Sequence, residues 1–559
     1  MDFSLYYRKT KNEDLFNDLE ESQLGLNNLQ NYVPLYEKFF SLNSSNFNSI
    51  ILNQKYYLSK VNHTLTKNTL NVNVIDNSNN MIQQEIFCKF SPLLDPLKFL
   101  TGKYDLSANN SIELPTYNST NKFPKLLDQN NSAYVDAFFT YLSSQLLHQN
   151  NFINSIDYYG AFIGRQEHFL YNIVDDLEYL NDSNYFHNNR NKFFNLETDD
   201  YSDYFNIDSR TNKKKLIIND KLDKIQVDSF NNDDFKIFTH NDETDTKIYD
   251  LSDVCIYNYS LKKSNDSDSD SSCSSKSSNT MCEINSDCGS ECSEDDSESE
   301  DGEEHNVMCS LYDFPIQMIS LEKCDNTLDY LMENDLLNNK EWISCLFQVI
   351  ISLSTFQKTF SFTHNDLHTN NIMYITTEKQ FLFYCFNGIH YKVPTYGKIY
   401  KLIDFGRAIY KFNGQTMCSD SFHQKGDAAS QYNCEPYLDD KKPRLEPNFS
   451  FDLCRLACCL YDHFIEDLFE AKIIIKKNKI ASLINSWLID DKGRNILYKT
   501  NGEERYPEFK LYKMIARTIH NAVPSNQLEN QLFKDYIVSK KKINKSKHIM
   551  NIDKFPVLV

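Results

Sequence analysis

Residues 364–371 read HNDLHTNN, and residues 403–406 read IDFG. The first stretch sets Asp366 five positions ahead of Asn371, and the second puts Asp404 directly before Phe405 and Gly406. The preceding segment, KEWISCLFQVIISLSTFQKTF (340–360), repeats Trp342, Leu346, Val349, Leu353, Phe356 and Phe360 every three or four residues. That period predicts a long amphipathic helix delivering the chain into HNDLHTNN. NIMYI then reads as a strand, and YKLIDFG as a second strand ending at Asp404. Phosphoryl transfer needs positioned phosphates, neutralising cations and a carboxylate near the attacking hydroxyl. Asp366 suits the hydroxyl proton, and Asn371 offers a neutral oxygen to a hard cation. Asp404 offers Mg²⁺ a second oxygen site. Gly406 lets the chain turn sharply after that carboxylate.

Working outward, residues 48–90 predict three strands, SIILNQKYYLSKV, LNVNVI and IQQEIFCKF, rich in β-branched and aromatic residues. NNSAYVDAFFTYLSSQLLHQ (131–149) carries apolar residues at helical spacing. SIDYYGAFIG (155–164) and FPIQMISLE (314–322) read as strands, and TLDYLM opens a short helix. From about 450 the pattern is helical, in SFDLCRLACCLYDHF, AKIIIKKNKIASLINSWL and FKLYKMIARTIHNAV. The chain ends beyond a basic run, SKKKINKSKH (539–548).

The 559 residues are 40% hydrophobic and 14% aromatic, enough for a large core. The net charge of −20 is concentrated in residues 264–304, which hold fourteen acids, one lysine and many serines. This tract predicts a disordered acidic insertion, because it has too little apolar surface to offset the entropy of ordering. A phosphorylation tract is its sharper reading. No clustered basic surface points to nucleic acid, and no apolar run is long enough to span a bilayer. Fifteen cysteines without a secretion signal suggest reduced thiols in a soluble intracellular protein. Cys282, Cys288 and Cys292 do not have the spacing of a zinc module.

HNDLHTNN resembles the catalytic loop of the protein-kinase superfamily, H-R-D-L-K-x-x-N, and IDFG resembles its metal-binding motif. Alone, HNDLHTNN is compatible with a polar turn. The order of helix, loop, two strands, D-F-G and later helices carries the likeness, which is good over 310–530 and loose before it. The asparagine-rich, glycine-poor composition and long insertions resemble divergent serine/threonine kinases of giant DNA viruses of the mimivirus type. The resemblance implies an α+β bilobal fold, with a small β-rich N-lobe and a mainly helical C-lobe. Residues 1–171 would begin the N-lobe, 172–305 form an insertion, 306–536 supply the hinge and C-lobe, and 537–559 form a basic tail. It implies ATP and Mg²⁺ as cofactors, and a protein hydroxyl as acceptor for a chain taken to be a monomer. The host cytoplasm or the virion would be its location if the chain is viral. Asp366, with His364 and His368 beside it, would be catalytic, and Asn371 and Asp404 would hold metal. Glu322 to Cys324 would offer backbone groups to adenine. Lys89 in IFCK would anchor the phosphates with Asp136 as its acidic partner, Lys236 being the alternative lysine. Asp452 would be the buried aspartate of the helix after the activation segment.

The departures from that pattern are specific. Asn365 replaces the arginine that receives a phosphorylated activation loop in many members, which argues against that route of activation. His368 replaces the loop lysine and gives an H-x-D-L-H form shared with haspin-like kinases and small-molecule phosphotransferases. No G-x-G-x-x-G occurs among the 13 glycines. Phe87 falls on the same strand face as Lys89, where the family usually has a small residue beneath adenine. The nearest match to A-P-E is Cys434-Glu435-Pro436. A pseudokinase scaffold and a small-molecule phosphotransferase therefore remain as rivals to a serine/threonine protein kinase. One consequence needs no function. Deleting residues 264–304 is expected to leave the melting temperature nearly unchanged, since loop-closure entropy varies by only about 0.6 kcal/mol per doubling of length. Differential scanning calorimetry checks this.

Overall fold

The longest ladder joins Tyr158–Asn172 to Met308–Glu322, two fifteen-residue strands paired antiparallel from Tyr158 opposite Leu321 to Asn172 opposite Met308. The computed structural model describes residues 4–104, 112–118, 120, 123–197, 307–507, 509–544 and 546–559. These belong to one unit, Met1–Ile207 with Ser272–Val559. The acidic tract 264–304 and Lys236 lie outside the described residues. We label the main elements in chain order. They are β1 (Leu26–Gln30), β2 (Tyr56–Thr66), β3 (Thr69–Asp76), β4 (Met81–Pro92), α1 (Ser132–Asn150), β5 (Tyr158–Asn172), β6 (Phe194–Leu196) and β7 (Met308–Glu322). After them come α2 (Asn339–Phe360), β8 (Ile372–Thr376), β9 (Phe381–Phe386), β10 (Ile389–Pro394), β11 (Lys398–Leu402), α3 (Phe451–Phe464), α4 (Lys479–Trp487), α5 (Phe509–Thr518) and β12 (Met550–Asn551).

The fold is mixed α+β. A seven-stranded sheet runs β1-β5-β7-β4-β3-β2, with β6 pairing β7. Helices predominate after residue 328, interrupted by small sheets that hold β8 against β11 and β9 against β10. Helix α1 is buried along nearly its whole length, Asp136 included. Helix α2 begins with a capping box, in which Asn338 accepts from the Glu341 N–H while Glu341 accepts from the Asn338 N–H. It ends at Ser361 in the left-handed region.

Several elements depart from their sequence reading. The strands expected at 155–164 and 314–322 extend to Asn172 and back to Met308. Their polar residues Gln166, Glu167 and His168 leave the backbone ladder intact because strand side chains alternate between faces. The strand expected at 49–61 breaks into Ile50–Leu52 and β2. The segment 471–487 is two helices, because Asn478 is extended and its side chain accepts from the Ile480 N–H, starting a new helix. The span 172–305 is not wholly an interruption, since Phe194–Leu196 within it pairs with β7.

The final residues also join the fold. Met550 and Asn551 pair in parallel with Tyr384 and Cys385 of β9. Ile552 and Phe555 are buried. Asp553 accepts the N–H groups of Asn387 (2.7 Å) and Gly388 (2.8 Å). The Leu558 N–H donates to Thr359 O at the end of α2. Among the described residues no helix is long and apolar enough to cross a membrane. We expect Ile552→Ala to destabilise the chain by about 2–5 kcal/mol in urea denaturation. Lys541→Ala, on the exposed basic run, should stay within about 0.5 kcal/mol of the parent.

Candidate functional site

Lys89 projects from β4 into a space closed by two carboxylates. Its Nζ lies 2.7 Å from Asp136 Oδ2 and 2.8 Å from Asp404 Oδ1. The side chains of Lys89, Asp136 and Asp404 are 13%, 3% and 26% exposed, so water screens the group only in part. The other oxygen of Asp136 accepts the Phe405 N–H at 2.9 Å, tying α1 to residues 404–406. Asp404 has φ +61, in the left-handed region, and its Oδ1 also accepts the Gly406 N–H at 3.3 Å. A Cβ on Gly406 would meet that oxygen at 3.4 Å, an ordinary contact, and Gly406 is not in the left-handed region, so the sharp turn expected at this glycine falls instead on Asp404.

Burial pulls the Lys89 ammonium down, but Asp136 and Asp404 outweigh it and the net direction is up. Burial pushes the Asp404 carboxyl up, and Lys89 more than reverses this, leaving it below the usual carboxylate range. Asp136 goes the other way, because burial and the Asp404 charge exceed the pull of Lys89 and the Phe405 N–H. One cation is thus shared between two carboxylates of unequal depth.

The loop 364–371 is held from below by α3. Asp452, fully buried, accepts the backbone N–H groups of His364 (2.9 Å) and Asn365 (2.8 Å). His364 is also buried, and its Nε2 donates to Ile403 O at 2.9 Å, which places the proton on that nitrogen. Asn365 has φ +64. Its side chain donates to Arg407 O (3.0 Å) and accepts from the Tyr432 hydroxyl (2.8 Å). Asn365 therefore fastens the loop to the segment beyond 406.

Asp366 is 6% exposed. Its Oδ1 accepts the Tyr512 hydroxyl at 3.2 Å, and its Oδ2 lies 3.7 Å from Arg407 Nε. Burial raises the Asp366 carboxyl, but Arg407, His368 and Arg455 bring it below the ordinary range. Asn371 Nδ2 donates to Asp366 O (2.9 Å) and to His368 Nε2 (3.1 Å). Burial lowers the His368 pKa against the pull of Asp366, so a neutral ring can accept that bond. Both amide hydrogens of Asn371 are used, which leaves Oδ1 as its free-facing acceptor.

Glu322 has its own partners, Lys401 and Asp157. The Glu322 carboxylate pairs with Lys401 at 2.6 Å and accepts the Asp157 N–H, while its own N–H donates to Asp157 O at 3.1 Å. Glu322 is thus a strut between β7 and β11, and its N–H is already committed. Cys324, two residues further on, is buried. Phe87 sits opposite Leu321 in the ladder between β4 and β7 and packs against the core. Three site residues escaped sequence reading. Arg407 pairs with Asp427 and faces Asp366. Tyr512 reaches Asp366 from 146 positions away, and Arg455 donates to Tyr512. Adjacency to Gly406 is a usable signal for Arg407; the other two have none.

Among the described residues no three His, Cys, Asp or Glu side chains are grouped to hold a metal ion by themselves. The chain matches no protein-family model and no curated protein sequence. The ion triad supplies a test of its own. Lys89→Met leaves two carboxylates facing without their cation and should cost about 3–5 kcal/mol at neutral pH in chemical denaturation. The folded pKa of Asp404 lies below its unfolded value, so its stabilisation is present above the unfolded value and is lost as pH falls through the folded one. The Lys89→Met penalty should therefore shrink on acidification below about pH 4.

Proposed function

We propose that the chain is a divergent ATP- and Mg²⁺-dependent serine/threonine protein kinase with a bilobal kinase-like arrangement. On this reading the seven-stranded sheet with α1 forms the small lobe, and α2 to α5 form the large one. The observation that carries the proposal is the meeting of Lys89, Asp136 and Asp404, at 2.7 and 2.8 Å, from a strand, a helix and a strand end. A stability role alone gives little reason for one lysine to be shared between two carboxylates, since a buried ion pair is weak evidence for stability.

The donor set fits the implied cofactors. Asp404 and the Oδ1 of Asn371 are hard oxygens suited to Mg²⁺. Two such donors form an incomplete shell, which suits a cation that also takes phosphate oxygens. Magnesium bound with ATP would neutralise charge on the transferring phosphoryl group. Lys89 is the cation for the nucleotide phosphates, and Asp136 holds it in place. Asp366 stays ionised at neutral pH and can receive or orient the proton of an acceptor hydroxyl. Its lowered pKa makes it a weak base, so orientation is its larger contribution. His364 and His368 act at one remove, by packing the loop and fixing the Asn371 amide. A scaffold reading draws support from the covered state of Asp366 and from Phe87.

Thermal shift of the full chain with ATP, with and without Mg²⁺, separates these readings, because a scaffold need not respond. Asp404→Ala should weaken the Mg-ATP shift more than the metal-free one. Asp366→Asn should lower phosphoryl transfer by about 10²–10⁴-fold while leaving the Mg-ATP shift in place. Wild-type turnover by Asp366→Asn would remove Asp366 from the mechanism.

A further inference from the structure

An ionised carboxylate only accepts hydrogen bonds. If Asp366 serves a hydroxyl acceptor, that hydroxyl must donate to one of its two oxygens. In this structure Oδ2 faces Arg407, and Oδ1 already receives a hydroxyl, that of Tyr512, at 3.2 Å. This distance is at the outer edge of the reach expected for a base and its substrate. The phenol is firmly held. Arg455 Nε donates to its oxygen at 2.8 Å, and the Arg455 guanidinium lies 5.4 Å from the ring centroid. Phe509 stacks on the ring at 5.4 Å, and Phe451 lies tilted at 5.8 Å. Arg455 and Asp452 are on the same helix, α3, so the element that holds the loop also holds the group covering its carboxylate.

We propose that Tyr512 occupies the acceptor-hydroxyl position of Asp366 and gates it, so that an aliphatic hydroxyl on a protein acceptor must displace the phenol before transfer. This rests on the phosphotransferase reading above and adds a specificity-determining residue to it. The phenol excludes water from Asp366 while no acceptor is present, which suppresses attack of water on the γ-phosphorus and the release of ADP and phosphate. Tyr512 is itself a poor acceptor, because the Arg455 N–H engages an oxygen lone pair that an attack would use. Burial, followed by the Asp366 charge, pushes its hydroxyl up to about 12, so it remains a donor at neutral pH.

The test compares the full chain with Tyr512→Phe, which keeps the ring and removes the hydroxyl. Acceptor-free Mg-ATP hydrolysis should rise, by up to about tenfold, the scale set by one hydrogen bond. With dephosphorylated casein as the probe acceptor, KM for casein should fall while KM for ATP stays unchanged. A merely structural tyrosine would lower both rates together without that split. A second measurement needs no turnover. Tyr512→Phe should lower the melting temperature more in the parent than in Asp366→Ala, because of the two hydrogen bonds it removes the one to Asp366 is already absent there and only the one from Arg455 is lost. Equal shifts in both backgrounds, unchanged or slower hydrolysis in Tyr512→Phe, or phosphate on Tyr512 in peptide mapping would each overturn the gate. If neither protein hydrolyses ATP and Mg-ATP shifts neither melting curve, the phosphotransferase reading falls and the gate falls with it. A Mg-ATP shift and parental turnover without the Tyr512→Phe changes would overturn the gate alone.

Discussion

Lys89 carries one positive charge into a region where two carboxylates are mostly removed from water, and neither is tolerable there without it. Satisfying both from a single Nζ fixes three elements at once: strand β4, helix α1 and the turn after β11. The Asp136 to Phe405 N–H bond adds a second tie between α1 and that turn. A charge left unpaired at this depth costs several kcal/mol, so the geometry of the site and the packing of the sheet on α1 are one problem. The left-handed backbone of Asp404 is part of the solution, since it turns the carboxylate toward the lysine at the point where the chain reverses.

Phe405 faces the other way and joins this polar centre to the core. It is fully buried, 4.7 Å from the Phe139 ring of α1 and 5.9 Å from Phe362 at the end of α2. His364 lies 5.7 Å from the same ring. Consecutive residues thus serve opposite masters, Asp404 the ion cluster and Phe405 the aromatic core. Aromatic contacts of this kind are directional as well as apolar, which helps to set the height of the loop against α1.

Below the loop, Asp452 performs a similar task with backbone groups. Two N–H donors in an irregular segment would be costly to bury unpaired, and one carboxylate accepts both. Asn365 supplies the remaining tie to the segment beyond 406. The loop is therefore held by its main chain and by the side chains of His364 and Asn365, and the side chain of Asp366 is left to meet groups arriving from elsewhere, namely Arg407 and Tyr512.

The sequence by itself determined the local elements and the polar loop. The period of 340–360 marks α2, and the β-branched runs mark β2, β3 and β4. Asp366, Asn371 and Asp404 stand out by spacing and order, whereas Asp452 is picked out only by the resemblance. Lys89 and Asp136 were legible only as a strand lysine followed by an acid on a buried helix. That they share one charge with Asp404 is a tertiary fact, since contacts across 47 and more than 250 residues leave no periodic trace. The length of β5 and β7 was hidden for a different reason, because ladder hydrogen bonds are made by the backbone whatever the side chains are. The tertiary structure alone committed the Glu322 N–H to Asp157, drew the last residues onto β9, and placed Tyr512 over Asp366. Each of these depends on which surfaces meet once helices and sheet have packed, and burial is decided by that meeting and not by the residues one at a time.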